Sequence, residues 1–363
     1  MMRRLCTCGL LVIIAFSSAC ARRDKSDSAR SQKTSPFAEL IIKRELQQTL
    51  KQQTDVKVLS LTPYRLITKG AGAGFVFPAS LSYADSGTLY ISDNNGHRIH
   101  YWPADSPNAV ALATQSGEGR LKFPNTIQCS GDHLFVSDND GIKVFSADGT
   151  FERLIRPYFG IFSFIKADRK TFFANTLIRD AGSSDPLIVE LDQNGKEIRG
   201  LGLRRNVSGH NGLEDQAFLA LSQQQLFAAF KYRPTVEVYD LKSGKMTASF
   251  DVAHPVFQSL ASELERKGIR DTQENGRVFV PRYLAGIRVS GNRIFLCLAL
   301  PEPEIWEVDR NGTPLVRFRI LGLPPAVDVF GFDLRSVGDS LIFSVGIIDQ
   351  GWRATVSELR STN

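Results

Sequence analysis

The 363-residue sequence has only 5 Cys and 5 His, and no apolar segment in it is long enough to cross a bilayer as a permanent helix. Lys and Arg are scattered along the chain, and no run of them alternates with aromatic residues as a nucleic-acid groove requires. The formal net charge of +6 is therefore interpreted as a solvated basic surface. We expect no nucleic-acid partner.

What the chain does contain is a large apolar fraction, 42% of its residues, which excludes disorder for most of its length. A chain of this size forms either one large all-β domain or two smaller domains.

Residues 1–20 have the order of an export signal: two arginines, an apolar run, and the small residues Ser17 to Ala19 before Cys20. The end of this segment resembles the lipobox of bacterial lipoproteins, whose cysteine becomes the lipidated first residue of the mature protein. We predict lipidation of Cys20 and a membrane-anchored bacterial lipoprotein that faces the periplasm or the cell surface. Simple cleavage after Ala19 or Ala21 is the alternative, because Ser17 replaces the usual Leu.

Only Cys129 and Cys297 follow position 20. An oxidising compartment allows a disulfide between them, but the repeats described below place them in strands of well separated units. We predict that each is a small buried apolar residue.

The first part of the exported chain shows no strand pattern. Residues 21–34 are polar and charged and are predicted to form a flexible tether. Ser35 and Pro36 then suit the N-cap and the first position of a short helix over residues 35–54, which we expect to pack on the main domain.

Residues 55–363 consist of short strand-like segments separated by Gly, Asp, Asn and Pro. Six similar apolar runs recur at intervals of 37 to 68 residues: "LYISD" at Leu89, "LFVSD" at Leu134, "TFFAN" at Thr171, "LFAAF" at Leu226, "IFLCL" at Ile294 and "LIFSV" at Leu341. Each run has a strand-like segment before it and another after it, and Asn-Gly or Ser-Gly turns often lead to a fourth. The pattern predicts an all-β fold, a six-bladed β-propeller of four-stranded antiparallel blades.

The two ends of this region are complementary. The sixth unit stops after three strands, whereas Val56 to Thr68 is a strand-like segment that precedes the first unit. We predict that this segment supplies the missing outer strand of the last blade, which closes the ring and leaves no open edge at the seam.

The segment "GFVFPASLSYADSGTLYISDNNGHRIHYW" resembles an NHL repeat, and "LKFPNTIQCSGDHLFVSDNDGIKVFSADGTF" is a weaker second copy. The later units keep only the strand rhythm. The resemblance implies that Asp93, His97 and Arg98 tie one unit to the next and stabilise the turn between the second and third strands. His97 and His100 flank the start of a strand and are expected to point to opposite faces, so they do not predict a zinc site.

Enzymes with this architecture offer no residue-by-residue match. Gluconolactonase-like hydrolases use a Glu, an Asn and Asp residues around a divalent ion in the central channel, and peptidyl amidating lyases need several His ligands at its mouth. Neither set can be assigned here, and "VSGHNG" at Val207 lacks a nucleophile elbow. We predict no catalytic residue, no metal ligand and no cofactor, and a divalent metal in the channel belongs to the alternative function.

A ligand site is expected where the loops before the inner strands meet the loops between the second and third strands. Aromatic and Arg residues there favour binding, and a cationic mouth attracts anionic groups. The candidate ligand-binding residues are Asn125, Phe159, His210, Arg233, Arg282 and Tyr283, within a wider loop set that includes Lys231 and Tyr232.

The longest interval, between the fourth and fifth units, contains an apolar stripe from Val256 to Leu264 and a stop at Gly268. It predicts an inserted helix near residues 255–268, which either covers the propeller rim or presents a face to a partner.

Together these features predict an exported, lipid-anchored, monomeric propeller that acts as a binding or scaffold module in the bacterial cell envelope. Its partner is a protein, peptide or glycan ligand. The alternative is a metal-dependent propeller hydrolase or lyase, gluconolactonase-like, with its site in the central channel.

Overall fold

The structure, a computed structural model, describes residues 56–67, 75–112, 116–168, 170–177, 185–204, 213–254, 257, 282–299, 302–323, 327–349 and 354–362. These residues form 24 β-strands and two 3₁₀ turns, Gly117–Gly119 and Leu213–Asp215. The all-β prediction is confirmed. The predicted signal peptide, the tether, the helix over 35–54 and all but Phe257 of the inserted helix lie outside the described residues.

The strands are β1 (Lys57–Ile67), β2 (Pro78–Tyr83), β3 (Leu89–Asp93), β4 (Arg98–Trp102), β5 (Val110–Ala111), β6 (Ile127–Ser130), β7 (His133–Asp138), β8 (Gly141–Ser146), β9 (Phe151–Ile155), β10 (Ile161–Lys166), β11 (Thr171–Thr176), β12 (Pro186–Asp192), β13 (Glu197–Leu203), β14 (Ala217–Leu221), β15 (Gln225–Phe230), β16 (Thr235–Asp240), β17 (Met246–Asp251), β18 (Leu284–Ser290), β19 (Arg293–Leu298), β20 (Glu304–Val308), β21 (Pro314–Ile320), β22 (Asp328–Val337), β23 (Ser340–Ile348) and β24 (Ala354–Thr362). All six of the predicted apolar runs lie in strands, namely β3, β7, β11, β15, β19 and β23.

The strands assemble into four separate four-stranded sheets and one eight-stranded sheet. Sheet 1 is β2 to β5, sheet 2 is β6 to β9, sheet 3 is β10 to β13 and sheet 4 is β14 to β17, each in chain order. The large sheet has the order β18-β19-β20-β21-β1-β24-β23-β22, so that β1 joins two antiparallel groups.

The predicted pairing of the chain's two ends is confirmed by β1. It pairs antiparallel with β24, from Ser60 opposite Thr362 to Ile67 opposite Val356. On its other side, β1 pairs in parallel with β21. The parallel pairing was not predicted, and it makes one continuous sheet of the last two strand groups.

Glu358 of β24 holds this seam together from a fully buried position. Its carboxylate accepts hydrogen bonds from Tyr64 Oη at 2.9 Å, from Arg65 Nη1 at 2.7 Å and from Tyr83 Oη at 2.6 Å. Arg65 also lies 4.0 Å from the centre of the Trp102 ring in sheet 1. One carboxylate thus connects β24, β1 and the first inner strand.

The first strand of each group contacts the first strand of the next in a closed series: β2, β6, β10, β14, β18, β22 and again β2. The beginnings of neighbouring inner strands lie side by side, since Asn125 Nδ2 donates a hydrogen bond to Phe162 O at 2.8 Å. The ends of neighbouring inner strands also lie side by side, since Arg288 Nε is 2.5 Å from Asp333 Oδ1. The inner strands therefore run in the same direction around a central channel, which is the arrangement of a β-propeller.

The apolar core lies between the sheets. One cluster packs Phe135 and Val144 of sheet 2 against Phe164 and Phe172 of sheet 3. Middle strands such as β3 are buried along their whole length, whereas outer strand β17 is mostly exposed. Because each sheet is covered on both faces by its neighbours, side chains on both faces of its central strands are buried.

The predicted Asn-Gly turns between third and fourth strands form as expected. Gly195 and Gly312 both have positive φ, at 86° and 82°. In the first of these turns, Asp192 Oδ1 accepts backbone hydrogen bonds from Asn194 at 2.8 Å and Lys196 at 2.9 Å. Glycine is required because a Cβ atom favours negative φ.

Neither of the two predicted free cysteines forms a disulfide. Cys129 is half-buried in β6, and Cys297 is fully buried in β19, in a different sheet. Burial raises the pKa of both thiols, that of Cys129 to about 12. Both are therefore protonated at neutral pH, and Cys297 packs as a small apolar side chain.

Candidate functional site

Asp93, the acidic residue of the NHL-like motif, is a fully buried structural group. Its carboxylate accepts backbone hydrogen bonds from Phe77 at 2.7 Å, Val76 at 3.0 Å and Gly96 at 3.2 Å, and His100 Nε2 lies at 3.4 Å. Burial alone would raise the pKa of Asp93, but the hydrogen bonds from His100 and from the backbone outweigh it and lower the pKa. Asp93 therefore fixes the turn before β4 and the segment before β2.

The two histidines of the motif point to opposite sides, as predicted: His97 is exposed and His100 is fully buried. The His97 ring contacts Lys122 O and meets the edge of Phe123, so it ties sheet 1 to the next unit. Arg98 Nε donates to Gly96 O at 2.9 Å within the turn. The roles implied by the resemblance are therefore structural ones here.

The second unit has the same arrangement, with a lysine where the first unit has His100. Asp138 accepts from Phe123 N at 2.6 Å and Lys122 N at 2.8 Å, and Lys143 Nζ lies 2.8 Å away. Lys143 is fully buried and sits opposite Val136, in the register position that His100 occupies opposite Ile91. Burial raises the pKa of Asp138, but Lys143 and the backbone donors lower it below its ordinary value.

The strongest candidate for a functional site lies where the six inner strands begin, and we call it the channel mouth. Each strand group supplies a residue there. They are Phe77, Asn125, Phe162, Phe218, Arg282 and Phe330, joined by Lys231, Tyr232 and Asp328.

Contacts link these residues around the channel. Phe77 and Phe330 meet edge to face with ring centres 4.3 Å apart, and Phe162 and Phe218 do so at 5.6 Å. Arg282 lies over Phe330, 4.4 Å from the ring centre. The mouth is thus a rim of half-buried aromatic rings that holds cations.

Lys231 is the second cation of the mouth. Its ammonium group lies 5.1 Å from the centre of Phe162 and 5.0 Å from that of Tyr232. The backbone fixes it beside Arg282, because Lys231 N donates to Gln216 O at 2.9 Å and Lys231 O accepts from Tyr283 N at 2.8 Å. The chain thereby brings two cations from separate strand groups to one place.

The electrostatics of the mouth reflect this crowding. Burial, followed by repulsion from Arg282, lowers the pKa of Lys231 to about 7, although Asp328 opposes the change. Burial also raises the pKa of Tyr232, and Arg282 partly offsets this by lowering that pKa. Within the described residues, no carboxylate lies within 4.0 Å of Lys231 or Arg282, and Arg282 Nε is buried without a hydrogen-bond partner.

The structure brings two of the predicted ligand-binding residues, Arg282 and Asn125, to the mouth. The other predicted ligand-binding residues that the structure describes pack against neighbouring side chains. Phe159 is 8% exposed within an apolar cluster, and Tyr283 is 4% exposed against Phe257. Arg233 stacks on Phe230 and lies 3.2 Å from Glu237. His210 and Cys20 lie outside the described residues.

The rings of Phe77, Phe162, Phe218 and Phe330 were not predicted to belong to the site, since each stands in or beside an apolar strand. Their position at the start of an inner strand is the signal that could have identified them. Phe77 and Phe330 also pack against the apolar cluster between sheet 1 and the last strand group.

A metal centre was the alternative for this region. Among the residues that the structure describes, no three His, Cys, Asp or Glu side chains converge in a group able to hold a metal ion.

The fold and the mouth together define a β-propeller with a cationic, aromatic channel opening. No family model and no curated protein matches the sequence. Among solved structures, the chain is similar to a gluconolactonase from Xanthomonas campestris, with 13% identity, a TM-score of 0.51, and coverage of 80% of this chain and 87% of that one. It is also similar to a luciferin-regenerating enzyme, with 14% identity, a TM-score of 0.51, and coverage of 82% and 95%.

A streptogramin B lyase structure shows the same degree of similarity, with 12% identity, a TM-score of 0.50, and coverage of 82% of this chain and 87% of that one. Likeness at these identities shows the β-propeller fold alone.

Within the described residues, no helix is both long and apolar enough to cross a membrane.

Proposed function

We propose that this protein is an exported, lipid-anchored propeller of the bacterial cell envelope that binds an anionic ligand at the channel mouth. The observation that carries the proposal is the pairing of Lys231 with Arg282, two cations on aromatic rings with no carboxylate at ion-pair distance among the described residues.

Bringing like charges together costs free energy unless an anion completes the site. In a folded protein a cost of this kind is usually retained for function. The ligand thus carries a carboxylate or a comparable group, either on a glycan or on a protein or peptide.

The proposal includes six blades. The eight-stranded sheet counts as two blades, β18 to β21 and β22 to β24 with β1, joined at the parallel contact of β21 and β1. The closed series of six inner strands supports this count. The NHL-like character is confined to the first two units, where Asp93 and Asp138 occupy equivalent positions.

Matched pairs of small molecules test the binding proposal, with D-glucuronate against D-glucose as the first pair. Titration calorimetry should detect D-glucuronate but not D-glucose, because the two sugars differ in the carboxylate. Replacing Lys231→Met and Arg282→Met together should weaken D-glucuronate binding by about tenfold or more, since two charged donors are lost.

Arg199→Met is the matched control, because this arginine is on an outer strand and pairs with Glu190 at 2.5 Å, away from the mouth. The Arg199→Met variant should bind D-glucuronate with the same affinity as the unmodified protein. If neither D-glucuronate nor a peptide with a free C-terminal carboxylate binds better than its neutral counterpart, the mouth is not an anion site.

The second candidate function is a metal-dependent hydrolase or lyase, supported by the propeller fold that the chain shares with a gluconolactonase and a streptogramin B lyase. A stoichiometric divalent metal in the purified protein, with a melting temperature that falls on chelation, would favour this candidate.

A further inference from the structure

A second recess lies away from the channel mouth, between sheets 1 and 2. It is a cleft of about 290 Å³, close to the lower limit of about 300 Å³ for small-molecule sites. Strand β4, the segment after β5 and the connection leading to β6 form its walls, together with the end of β8. None of the residues that line the cleft belongs to the mouth.

The floor of the cleft is apolar. Ile99 and Phe145 are buried at 3% and 2% exposure, and Leu112 and Leu121 are half-buried beside them. Gly96 forms part of the wall, and a Cβ atom there would lie 2.2 Å from Asp93 Oδ2. Position 96 therefore requires glycine, which keeps the turn against the Asp93 carboxylate.

The rim of the cleft is cationic. Arg98 and Arg120 both line it. Arg98 uses Nε for Gly96 O, and its two terminal nitrogens have no partner among the described residues. The exposed Arg120 side chain likewise makes no hydrogen bond or ion pair in the described part of the chain. The nearby carboxylates are engaged elsewhere, Asp93 in its turn and Glu118 with Arg156 at 2.6 Å.

The backbone at the rim is in an unusual conformation. His97 has φ of 53° and is the one described residue other than glycine with positive φ. Contacts with Lys122 O and Phe123 hold it there. Left-handed backbone in a residue with a side chain is most often kept at turns and ligand sites, and here it sets an exposed imidazole at the edge of the cleft.

We propose that this cleft binds a small organic anion, with its apolar body on the floor and its carboxylate or sulfonate between Arg98 and Arg120. The apolar floor selects a hydrocarbon or aromatic body, and the guanidinium groups provide paired donors for the oxygens of the anion. The site does not depend on the channel mouth.

Anilinonaphthalene sulfonate is the probe, because it joins a flat apolar body to one sulfonate and its fluorescence rises on leaving water. In the full chain, Arg98→Gln with Arg120→Gln should weaken its binding by about tenfold. The neutral analogue phenylnaphthylamine should bind the variant and the unmodified protein equally. Arg120→Gln alone, which leaves the Arg98 bond to the turn intact, should give a several-fold loss with an unchanged melting temperature.

Two controls separate this site from others. Lys122→Gln removes an exposed cation next to the cleft that pairs with Asp140 at 3.5 Å, and it should leave the affinity for the sulfonate unchanged. The loss caused by Arg120→Gln should persist in a Lys231→Met background, in which sulfonate binding at the mouth is removed. Equal binding of the sulfonate to Arg120→Gln and the unmodified protein would overturn the proposal, as would a loss that disappears in the Lys231→Met background.

Discussion

Buried polar side chains in this propeller fall into two kinds, and Asp93 and Lys231 illustrate them. The buried Asp93 carboxylate accepts hydrogen bonds from three backbone amides, and these bonds fix the turn before β4 and the segment before β2. Lys231 faces aromatic rings and another cation, and no carboxylate reaches ion-pair distance within the described residues. The first kind of residue maintains the fold, and the second is available to a ligand.

Anion binding at the mouth should depend on pH through Lys231, whose pKa lies at about 7. The ammonium form is present below that pH and is lost above it. A bound anion favours the ammonium form and raises its pKa. The affinity for D-glucuronate should therefore be constant below about pH 6 and should fall as the pH rises through 7, by at most about tenfold per pH unit. Calorimetric titrations across this range measure the change.

Lys231→Arg provides the control for this prediction, because an arginine stays charged throughout. Its affinity for D-glucuronate should not change between pH 6 and pH 8.5. A fall with pH that is the same in the variant and in the unmodified protein would assign the titration to another group.

Among the elements, β1 is the strand that joins the two ends of the propeller ring. It is the first described strand of the chain, yet it pairs with the last strand on one side and with β21 on the other. Its hydrogen bonds close a ring whose other sheets each come from one continuous segment. Removing β1 leaves two sheet edges open and exposes the apolar cluster that contains Leu61.

Deleting residues 56–68 should abolish cooperative thermal unfolding, because the ring cannot close without β1. Glu358→Gln is the milder change, and it should lower the free energy of unfolding by about 2 kcal/mol, since the three donors of Tyr64, Arg65 and Tyr83 lose a charged acceptor. Thermal melts followed by circular dichroism measure the effect of the deletion, and denaturant melts measure the free-energy change in Glu358→Gln.

Glu152→Gln is the matched control for Glu358→Gln, because Glu152 forms an exposed pair with His133 at 3.3 Å. The free energy of unfolding should change by less than about 0.5 kcal/mol. A deletion variant that still unfolds cooperatively at the original temperature would show that the seam does not hold the ring.

At the scale of the whole molecule, the mouth exists only because the ring closes. Phe77 and Phe330 are 253 positions apart in sequence and touch across the junction between the last strand group and sheet 1. Arg282 and Lys231 come from neighbouring groups separated by the predicted helical insertion. The residues of the mouth come from all six groups, so under our proposal damage at the seam should also weaken anion binding there.

We predict that a lipid anchor on Cys20 holds the protein at a membrane. In bacteria that express the full chain, the unmodified protein should remain in the membrane fraction after a high-salt wash, because acyl chains on Cys20 hold it there. Cys20→Ser should shift it to the soluble fraction. The matched control is Cys129→Ser, which lies within the propeller and should leave the distribution unchanged. An unaltered distribution in Cys20→Ser would exclude lipidation as the anchor.

Repeated local patterns made much of the fold predictable from sequence. The runs at Leu89 and Leu134 recur with turn residues at fixed offsets, and strands, turns and the pairing of the chain's ends followed from them. The site was harder to predict. Phe159 and Tyr283 stand in loops of the expected kind, yet both are buried, because packing between sheets decides which loop side chains turn inward.

The sequence by itself determined that the chain is all-β, that its strands repeat, that Asn-Gly turns join them and that β1 returns to β24. These properties depend on local periodicity and on backbone conformations that single residues require. Only the tertiary structure decided which polar residues meet. Lys231 and Arg282 share the mouth because ring closure brings together residues that are distant along the chain, and strand register places Lys143 where sheet 1 has His100.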